Sequence, residues 1–146
     1  MERLVLKNNK GLTLVEVLIA LVVSLLVSLA MMQTALVGID ANTRNILRDE
    51  AVNVTEMRMS EARNMPFASL ISDAADVPVT RNIRNIGGGV TFITRRVITE
   101  LDGDGNLATD DANNKQINIT VTWEWRDNTV ANGNPYTHRI TTIRKR

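Results

Sequence analysis

The sequence predicts an α+β fold in which one long N-terminal helix packs on a small antiparallel β-sheet. Three observations support this prediction. An apolar run of 21 residues extends from Leu12 to Met32 with Glu16 as its single ionisable residue. Apolar residues then recur at helical spacing as far as Met65. Between Gln116 and Arg126, apolar and polar residues alternate as they do in a strand with one buried face.

The composition limits the classes of protein that the chain can represent. Its 146 residues are enough for one domain, and 17 basic against 16 acidic residues leave a formal net charge of +1. So small a charge does not favour nucleic acid as a partner. The chain has no cysteine, which excludes disulfides, thiolate metal sites and cysteine nucleophiles.

The apolar run is long enough to cross a membrane as a helix. At ~1.5 Å per residue, residues 12–32 cover ~30 Å, the thickness of a bilayer's hydrocarbon core. Residues 1–11 carry three basic and one acidic side chain, and this excess favours a cytoplasmic N-terminus. Two alternatives are a buried core helix and a secretory signal peptide. The signal peptide would have a shorter apolar region, and Ser28-Leu29-Ala30 would be only a weak cleavage site.

Glu16 is the informative residue of the apolar run. A carboxylate inside a membrane is costly and usually has a partner, yet no Lys, Arg or His occurs between Leu12 and Gly38. A cut between Gly11 and Leu12 would create a new amino terminus and make Glu16 the fifth residue. The new amine could then pair with Glu16 of the same helix or of a neighbouring one.

The sequence from Lys10 to Ala20, KGLTLVEVLIA, resembles the processing site of type IV prepilins. The resemblance implies that a membrane-embedded prepilin peptidase cuts after Gly11 and that the new first residue, Leu12, is N-methylated. It also implies that Glu16 pairs with the N-terminus of a neighbouring subunit during filament assembly. The family most often has Phe where this chain has Leu12. A plain signal-anchor with an accidental Glu is the alternative interpretation.

The helix is predicted to continue beyond the membrane to Asn64, because Pro66 disfavours a helical conformation at the residue before it. Gly38 is either a hinge or a tolerated helix glycine. Charged residues fill the other faces of this half and are expected to be solvated. One apolar face should carry Ile39, Leu47, Ala51, Val54, Met57, Ala62 and Met65. The charged residues are Asp40, Arg44, Arg48, Glu56, Arg58 and Arg63.

Residues 66–146 are predicted to form three or four meandering strands. The candidate strands lie near Val77–Arg84, Val90–Thr99, Gln116–Arg126 and Tyr136–Lys145, after a connecting loop that follows the helix. Their apolar face should pack on Val54, Met57 and Ala62. Trp123 and Trp125 fall on that face, which favours packing over ligand stacking, and His138 is expected to be a surface or strand residue.

A second resemblance is weaker than the first. The stretch from Lys115 to Trp123, KQINITVTW, resembles a late strand of PilV-type minor pilins. Together the two resemblances imply the type IV pilin fold, a long helix with a transmembrane first half that packs on an antiparallel sheet. Major pilins often carry Pro or Gly in the apolar half of the helix, and residues 12–37 contain neither, which argues against a major subunit.

An acidic stretch is a candidate calcium site. Its oxygen-bearing residues are Asp102, Asp104, Asn106, Asp110 and Asp111, and Ca²⁺ prefers several oxygen ligands from one flexible loop. The spacing resembles the start of an EF-hand loop, and some type II secretion pseudopilins bind calcium in this region. However, Leu107 stands where Gly is expected and Asn113 where Glu is expected. The alternative is an Asp-Gly turn in a solvated loop.

These observations predict a minor type IV pilin that helps to prime or modify pilus assembly. The predicted segments are a cleaved leader at 1–11, a transmembrane half at 12–38, an amphipathic half at 39–65 and a sheet domain at 66–146. The expected location is the bacterial inner membrane, with the sheet domain periplasmic, and later the pilus at the cell surface. Expected partners are prepilin peptidase, other pilins and membrane lipid. No cofactor is expected apart from the candidate Ca²⁺.

Two alternative functions stay open. One is a minor pseudopilin of a type II secretion system, which would use the same membrane chemistry. The other is a membrane-tethered periplasmic module that binds a ligand through the acidic loop or the tryptophan pair. An enzyme is not expected, because the sequence contains no nucleophile–base set, phosphate loop or cofactor motif.

Overall fold

The computed structural model describes residues 13–84, 86–102, 104–107, 113–126 and 128–146. One α-helix is followed by a short 3₁₀ turn and four β-strands. The chain divides into two compact units, the first ending at Thr43 and the second beginning at Arg44. The predicted α+β architecture, one long helix with a small antiparallel sheet, is confirmed.

Helix α1 runs from Leu14 to Asn64. It continues through Gly38 without interruption, and the space beside that glycine is open. The helix ends two residues before Pro66, as the sequence predicts, because the proline ring disfavours helical geometry at the preceding residue. Residues 67–69 then form the 3₁₀ turn.

The second half of α1 buries a stripe of mainly apolar residues against the sheet. Around the helix axis, at about 100° per residue, Thr55 and Ala62 lie about 80° and 60° from Leu47 in one direction, whereas Met57 lies about 80° from Leu47 in the opposite direction. The buried stripe extends from Leu47 toward Thr55 and Ala62, so Met57 lies outside it. The prediction that Met57 packs in the core was therefore wrong: its side chain is exposed, as is that of Ile39. Met59 is buried instead. The buried helix residues are Leu47, Ala51, Val54, Thr55, Met59 and Ala62.

The four strands form one antiparallel meander in the order β1-β2-β3-β4. Their bounds are Val77–Asn82, Gly89–Leu101, Asn114–Trp123 and Tyr136–Lys145. All four lie where the sequence predicts strands. The third ends three residues before the predicted end at Arg126, because the chain turns back between Trp125 and Asn128. Pro78 is tolerated because β1 is an edge strand.

The sheet turns one apolar face toward the helix. Ile117, Ile119 and Val121 alternate along β3 and are fully buried. Trp123 continues this row, with its ring 6.1 Å from Phe92 and 5.6 Å from Tyr136 between centroids. This confirms the alternation predicted for β3 and places the core between β3, β2 and the second half of α1.

A cluster of buried charges fixes the segment between α1 and β1. Arg58 of the helix and Arg96 of β2 both bind the carboxylate of Asp73, at 2.9 Å and 2.8 Å. The Asp73 side chain is only 8% exposed, and those of Arg58 and Arg96 are 12% and 9% exposed. The expectation that Arg58 is solvated was therefore wrong. Asp40 is also buried, contrary to the same expectation.

Lys115 provides a second tie to this segment. Its buried ammonium donates a hydrogen bond to the carbonyl oxygen of Leu70 at 3.1 Å and lies 5.0 Å from the centroid of the Phe67 ring. It also forms an ion pair with Glu100 at 3.2 Å. Together with the Asp73 cluster, Lys115 holds the connecting segment on the rim of the core.

Candidate functional site

The first turn of α1 carries the candidate assembly residue, Glu16. The backbone N–H and the hydroxyl of Thr13 donate to Glu16 Oε2, at 2.8 Å and 3.0 Å. In return, the backbone N–H of Glu16 donates to the Thr13 hydroxyl at 3.2 Å. This reciprocal arrangement is a capping box, which satisfies backbone groups that have no partner within the helix.

Glu16 therefore has neutral partners within its own chain. The other two residues of the predicted processing site, Gly11 and Leu12, lie outside the described residues. A cationic partner for Glu16 does not come from residues 13–38, since this stretch contains no Lys, Arg or His. Pairing of Glu16 with an N-terminal amine stays a prediction.

The first half of α1 exposes a mainly apolar surface. Every residue from 13 to 39 is exposed, including Leu14, Leu21, Leu25 and Met31. Within the described residues, α1 is long and apolar enough to cross a membrane. An apolar surface of this size does not face water in a stable monomer. The finding is consistent with membrane anchoring.

Two hydroxyl groups in this half donate hydrogen bonds to backbone carbonyls of the helix itself. Ser28 donates to the carbonyl oxygen of Ser24 at 2.8 Å, and Thr34 donates to that of Ala30 at 3.0 Å. The bond from Ser28 is the kind of hydroxyl-to-carbonyl bond that lets serine enter a membrane helix. Thr13 differs, because its hydroxyl bonds to the Glu16 carboxylate.

The described residues of the acidic stretch form a tight turn. Asp102 Oδ1 accepts hydrogen bonds from the backbone N–H groups of Asp104 and Asn106, at 3.0 Å and 2.8 Å. Gly105 adopts a φ of 87°, in the left-handed region that favours glycine. These contacts match the Asp-Gly turn that the sequence offers as the alternative to a metal site.

The other two candidate calcium ligands, Asp110 and Asp111, lie outside the described residues. Among those described, no three His, Asp or Glu side chains converge to hold a metal ion. A calcium site stays a prediction, and Asp102 has a structural role that needs no metal.

The tryptophans and the single histidine lie near the N-terminal end of β4. Trp123 is buried, and Trp125 is partly buried against the core beyond the end of β3. His138 lies on β4 and is partly exposed, in agreement with the expectation of a strand residue. Both tryptophans thus pack as predicted.

Comparison with known protein families finds one match. Residues 6–32 match the Prokaryotic N-terminal methylation motif, a segment that includes Gly11, Leu12, Glu16 and the apolar run. No curated protein and no solved structure shows significant similarity to the chain. The motif supports the class of type IV pilins and pseudopilins. It implies processing by prepilin peptidase and assembly with other pilins.

Sequence reasoning missed one residue of this site. Thr13 and Glu16 are spaced as T-x-x-E before an apolar run, which is the sequence pattern of a capping box. That pattern was sufficient to predict the bond between Thr13 and Glu16. A functional interpretation of Glu16 must therefore separate the local cap from any bond between subunits.

Proposed function

We propose that the chain is a minor type IV pilin, a structural subunit that helps to prime or modify pilus assembly. One observation carries the proposal: Glu16, the single acid of a fully exposed apolar helix half, stands five residues after Gly11 inside the methylation motif. An acid in lipid needs a partner. The amine released by cleavage after Gly11 would supply a cation at the depth of Glu16 in a neighbouring subunit.

In this proposal the apolar half has two successive environments. Before assembly, lipid covers residues 12–38 in the inner membrane, with the sheet domain in the periplasm. During assembly, the same surface packs against other pilin helices, and the amine–carboxylate pair offsets the desolvation of both charges. The chain acts through packing rather than catalysis.

The small sheet domain supports a subunit role. Its buried charged residues, Asp73 and Lys115, tie the connecting segment in place. The absence of Gly and Pro from residues 12–37 favours a minor over a major pilin.

The intact mass of the protein tests the proposal. Chain purified from wild-type cells should lack the eleven leader residues and carry one added methyl group on Leu12. Chain from cells without the prepilin peptidase should keep the leader and lack the methyl group. Full-length, unmethylated protein in wild-type cells would exclude the pilin and the pseudopilin together and would favour a tethered binding module.

A minor pseudopilin of a type II secretion system is the second candidate. The N-terminal methylation motif fits this candidate as well. Deletion of the gene separates the two candidates. Loss of pili with normal protein secretion supports the pilin, and loss of secretion with normal pili supports the pseudopilin.

A further inference from the structure

The turn that connects β3 to β4 carries two neighbouring residues that can react with each other. Asn132 and Gly133 are both exposed, and Asn132 is the single asparagine of the chain that precedes a glycine. The carbonyl carbon of an asparagine side chain lies within reach of the backbone nitrogen of the next residue. Glycine leaves this approach open, because it has no Cβ to crowd the nitrogen.

Hydrogen bonds within the turn hold the two residues in place. The Gly133 N–H donates to the carbonyl oxygen of Val130 at 2.9 Å, and the Asn134 N–H donates to that of Thr129 at 3.3 Å. The Asn132 N–H donates to the Thr129 hydroxyl at 3.2 Å, and Asn132 takes part in a further interaction as well. The nitrogen of Gly133 is therefore engaged in the closed turn and reacts only when the turn opens.

The surroundings of this turn favour such local opening. Residues 130–134 are all exposed, and the space beside Gly133 is open. Gly133 has a φ of 69°, in the left-handed region that favours glycine. Exposed turns with few buried contacts open at a much lower cost in free energy than the strands of a core. The reacting groups can therefore be released while β3 and β4 stay paired.

We propose that Asn132 is a self-modification site at which the backbone nitrogen of Gly133 displaces the side-chain amide. A bond forms between Gly133 N and Asn132 Cγ, and the bond from Cγ to Nδ2 breaks. The amide nitrogen leaves as ammonia and takes up the proton that Gly133 N loses. Water then adds to either carbonyl of the cyclic imide and opens it to aspartate or isoaspartate. The reaction consumes one water, releases one ammonia and needs no oxidant or cofactor.

The modification changes both the charge and the shape of the turn. A neutral amide becomes a carboxylate, so 17 acidic residues then stand against 17 basic ones where the unmodified chain has 16 against 17. The turn already holds the Glu124 carboxylate, which accepts the Val130 N–H at 2.5 Å. Isoaspartate also lengthens the backbone by one carbon, which displaces the Gly133 N–H from Val130. The turn of an aged chain therefore differs from that of a new one.

Incubation of the full chain in heavy-oxygen water tests this site. The purified chain is kept in maltoside micelles and then digested with trypsin in ordinary water, which releases residues 127–139 as one peptide. Heavy oxygen should accumulate at residue 132 and not at Asn134, since Pro135 has no N–H to attack with. No heavy oxygen at residue 132, over a time in which a synthetic peptide of residues 128–136 converts completely, would overturn the site.

Variants test whether opening of the turn sets the rate. Thr129→Val removes the hydroxyl that accepts the Asn132 N–H and should speed the conversion about two- to tenfold, the contribution of one hydrogen bond. Thr137→Val makes the same change at an exposed position of β4 and should convert at the wild-type rate. Asn132→Gln should lose the signal, because its longer side chain closes a less favourable ring. An unchanged rate in Thr129→Val, or an equal increase in Thr137→Val, would overturn control by the turn.

The products at residue 132 identify the path of the reaction. Opening of a cyclic imide gives both aspartate and isoaspartate, whereas direct attack of water on the side-chain amide gives aspartate alone. Electron-transfer fragmentation separates the two products, since isoaspartate has the additional carbon in its main chain. Aspartate alone would overturn attack by the Gly133 nitrogen. A chain that keeps its leader should convert at the same rate, so this test is independent of the proposed pilin function.

Discussion

Thr13 and Glu16 satisfy each other at the start of α1, through hydrogen bonds in both directions of 2.8 to 3.2 Å. This pair gives the Glu16 carboxylate a local role that the prepilin motif does not describe. In the uncut chain, the cap provides hydrogen bonds for an acid that would otherwise lie unpaired at the edge of the apolar run. An experiment on pairing of Glu16 between subunits must therefore distinguish loss of that pairing from loss of the cap formed with Thr13.

Glu16→Gln separates the two roles of this residue. Gln can still accept a hydrogen bond from Thr13 in a capping box, but it cannot form an ion pair with an amine. We expect Glu16→Gln and Glu16→Ala each to reduce the protein in sheared filaments at least about tenfold, since a buried amine would be left without its charge partner. Immunoblots of the filament and membrane fractions measure this.

The matched control removes the hydroxyl bonds of the cap, leaves the backbone N–H of Thr13 donating to Glu16, and keeps the charge. Thr13→Val has the same shape without the hydroxyl, so incorporation should stay close to that of the wild type. Normal recovery of Glu16→Gln in filaments, together with loss of Thr13→Val, would mean that the cap rather than an ion pair is needed.

Gly11→Val is expected to block removal of the leader. The resemblance to prepilins places the cleaved bond directly after Gly11, where a side chain would obstruct the peptidase. The protein should keep residues 1–11 and the original N-terminus, which intact mass shows directly. Asn9→Val adds similar bulk two residues earlier and should be trimmed normally. Normal trimming of Gly11→Val would exclude this cleavage site.

The sequence was sufficient to predict most of the architecture. The apolar run and the helical spacing gave α1 nearly to its observed bounds, since Pro66 ends a helix for a local reason. The alternation from Gln116 predicted β3 and the buried position of Trp123. Prediction from the sequence succeeds where a structural feature is determined by residues only a few positions apart in the chain.

The buried charges could not be predicted because their causes are not local. Asp73 lies 15 residues from Arg58 and 23 from Arg96 along the chain. In the sequence, each of these three residues is indistinguishable from a charged residue that is exposed to solvent. The contacts exist only once the connecting segment folds back between the helix and β2.

Asp73→Asn should destabilise the protein strongly. The change keeps the shape of the side chain but leaves the largely buried guanidinium group of Arg96 without a counter-charge and Arg58 with only the half-exposed Glu61, at 2.6 Å. Loss of one partner from a buried ion pair costs about 3 to 5 kcal/mol, so we expect the free energy of unfolding to fall by about 3 kcal/mol. Denaturant unfolding of the full chain in detergent, followed by tryptophan fluorescence, measures it.

Asp76→Asn is the control for the buried pair. Asp76 also binds an arginine, Arg95 at 3.4 Å, but both side chains are more than half exposed. Exposed ion pairs contribute little, so the change should cost less than about 1 kcal/mol. Equal effects of Asp73→Asn and Asp76→Asn would show that burial of the Asp73 cluster does not stabilise the fold.

Two methionines of α1 test which helix face is buried. Met59 is 2% exposed and Met57 is 42% exposed, although the two lie only two residues apart. Truncation of a buried methionine removes apolar contacts and leaves a cavity, so Met59→Ala should cost about 2 to 4 kcal/mol. Met57→Ala leaves no cavity and loses mainly a contact of its sulfur with Arg81 at 3.2 Å, so its cost should be under about 1 kcal/mol. Unfolding of both variants under the same conditions gives the comparison. A larger loss for Met57→Ala than for Met59→Ala would mean that α1 is rotated about its axis, with the face that the sequence predicts turned toward the sheet.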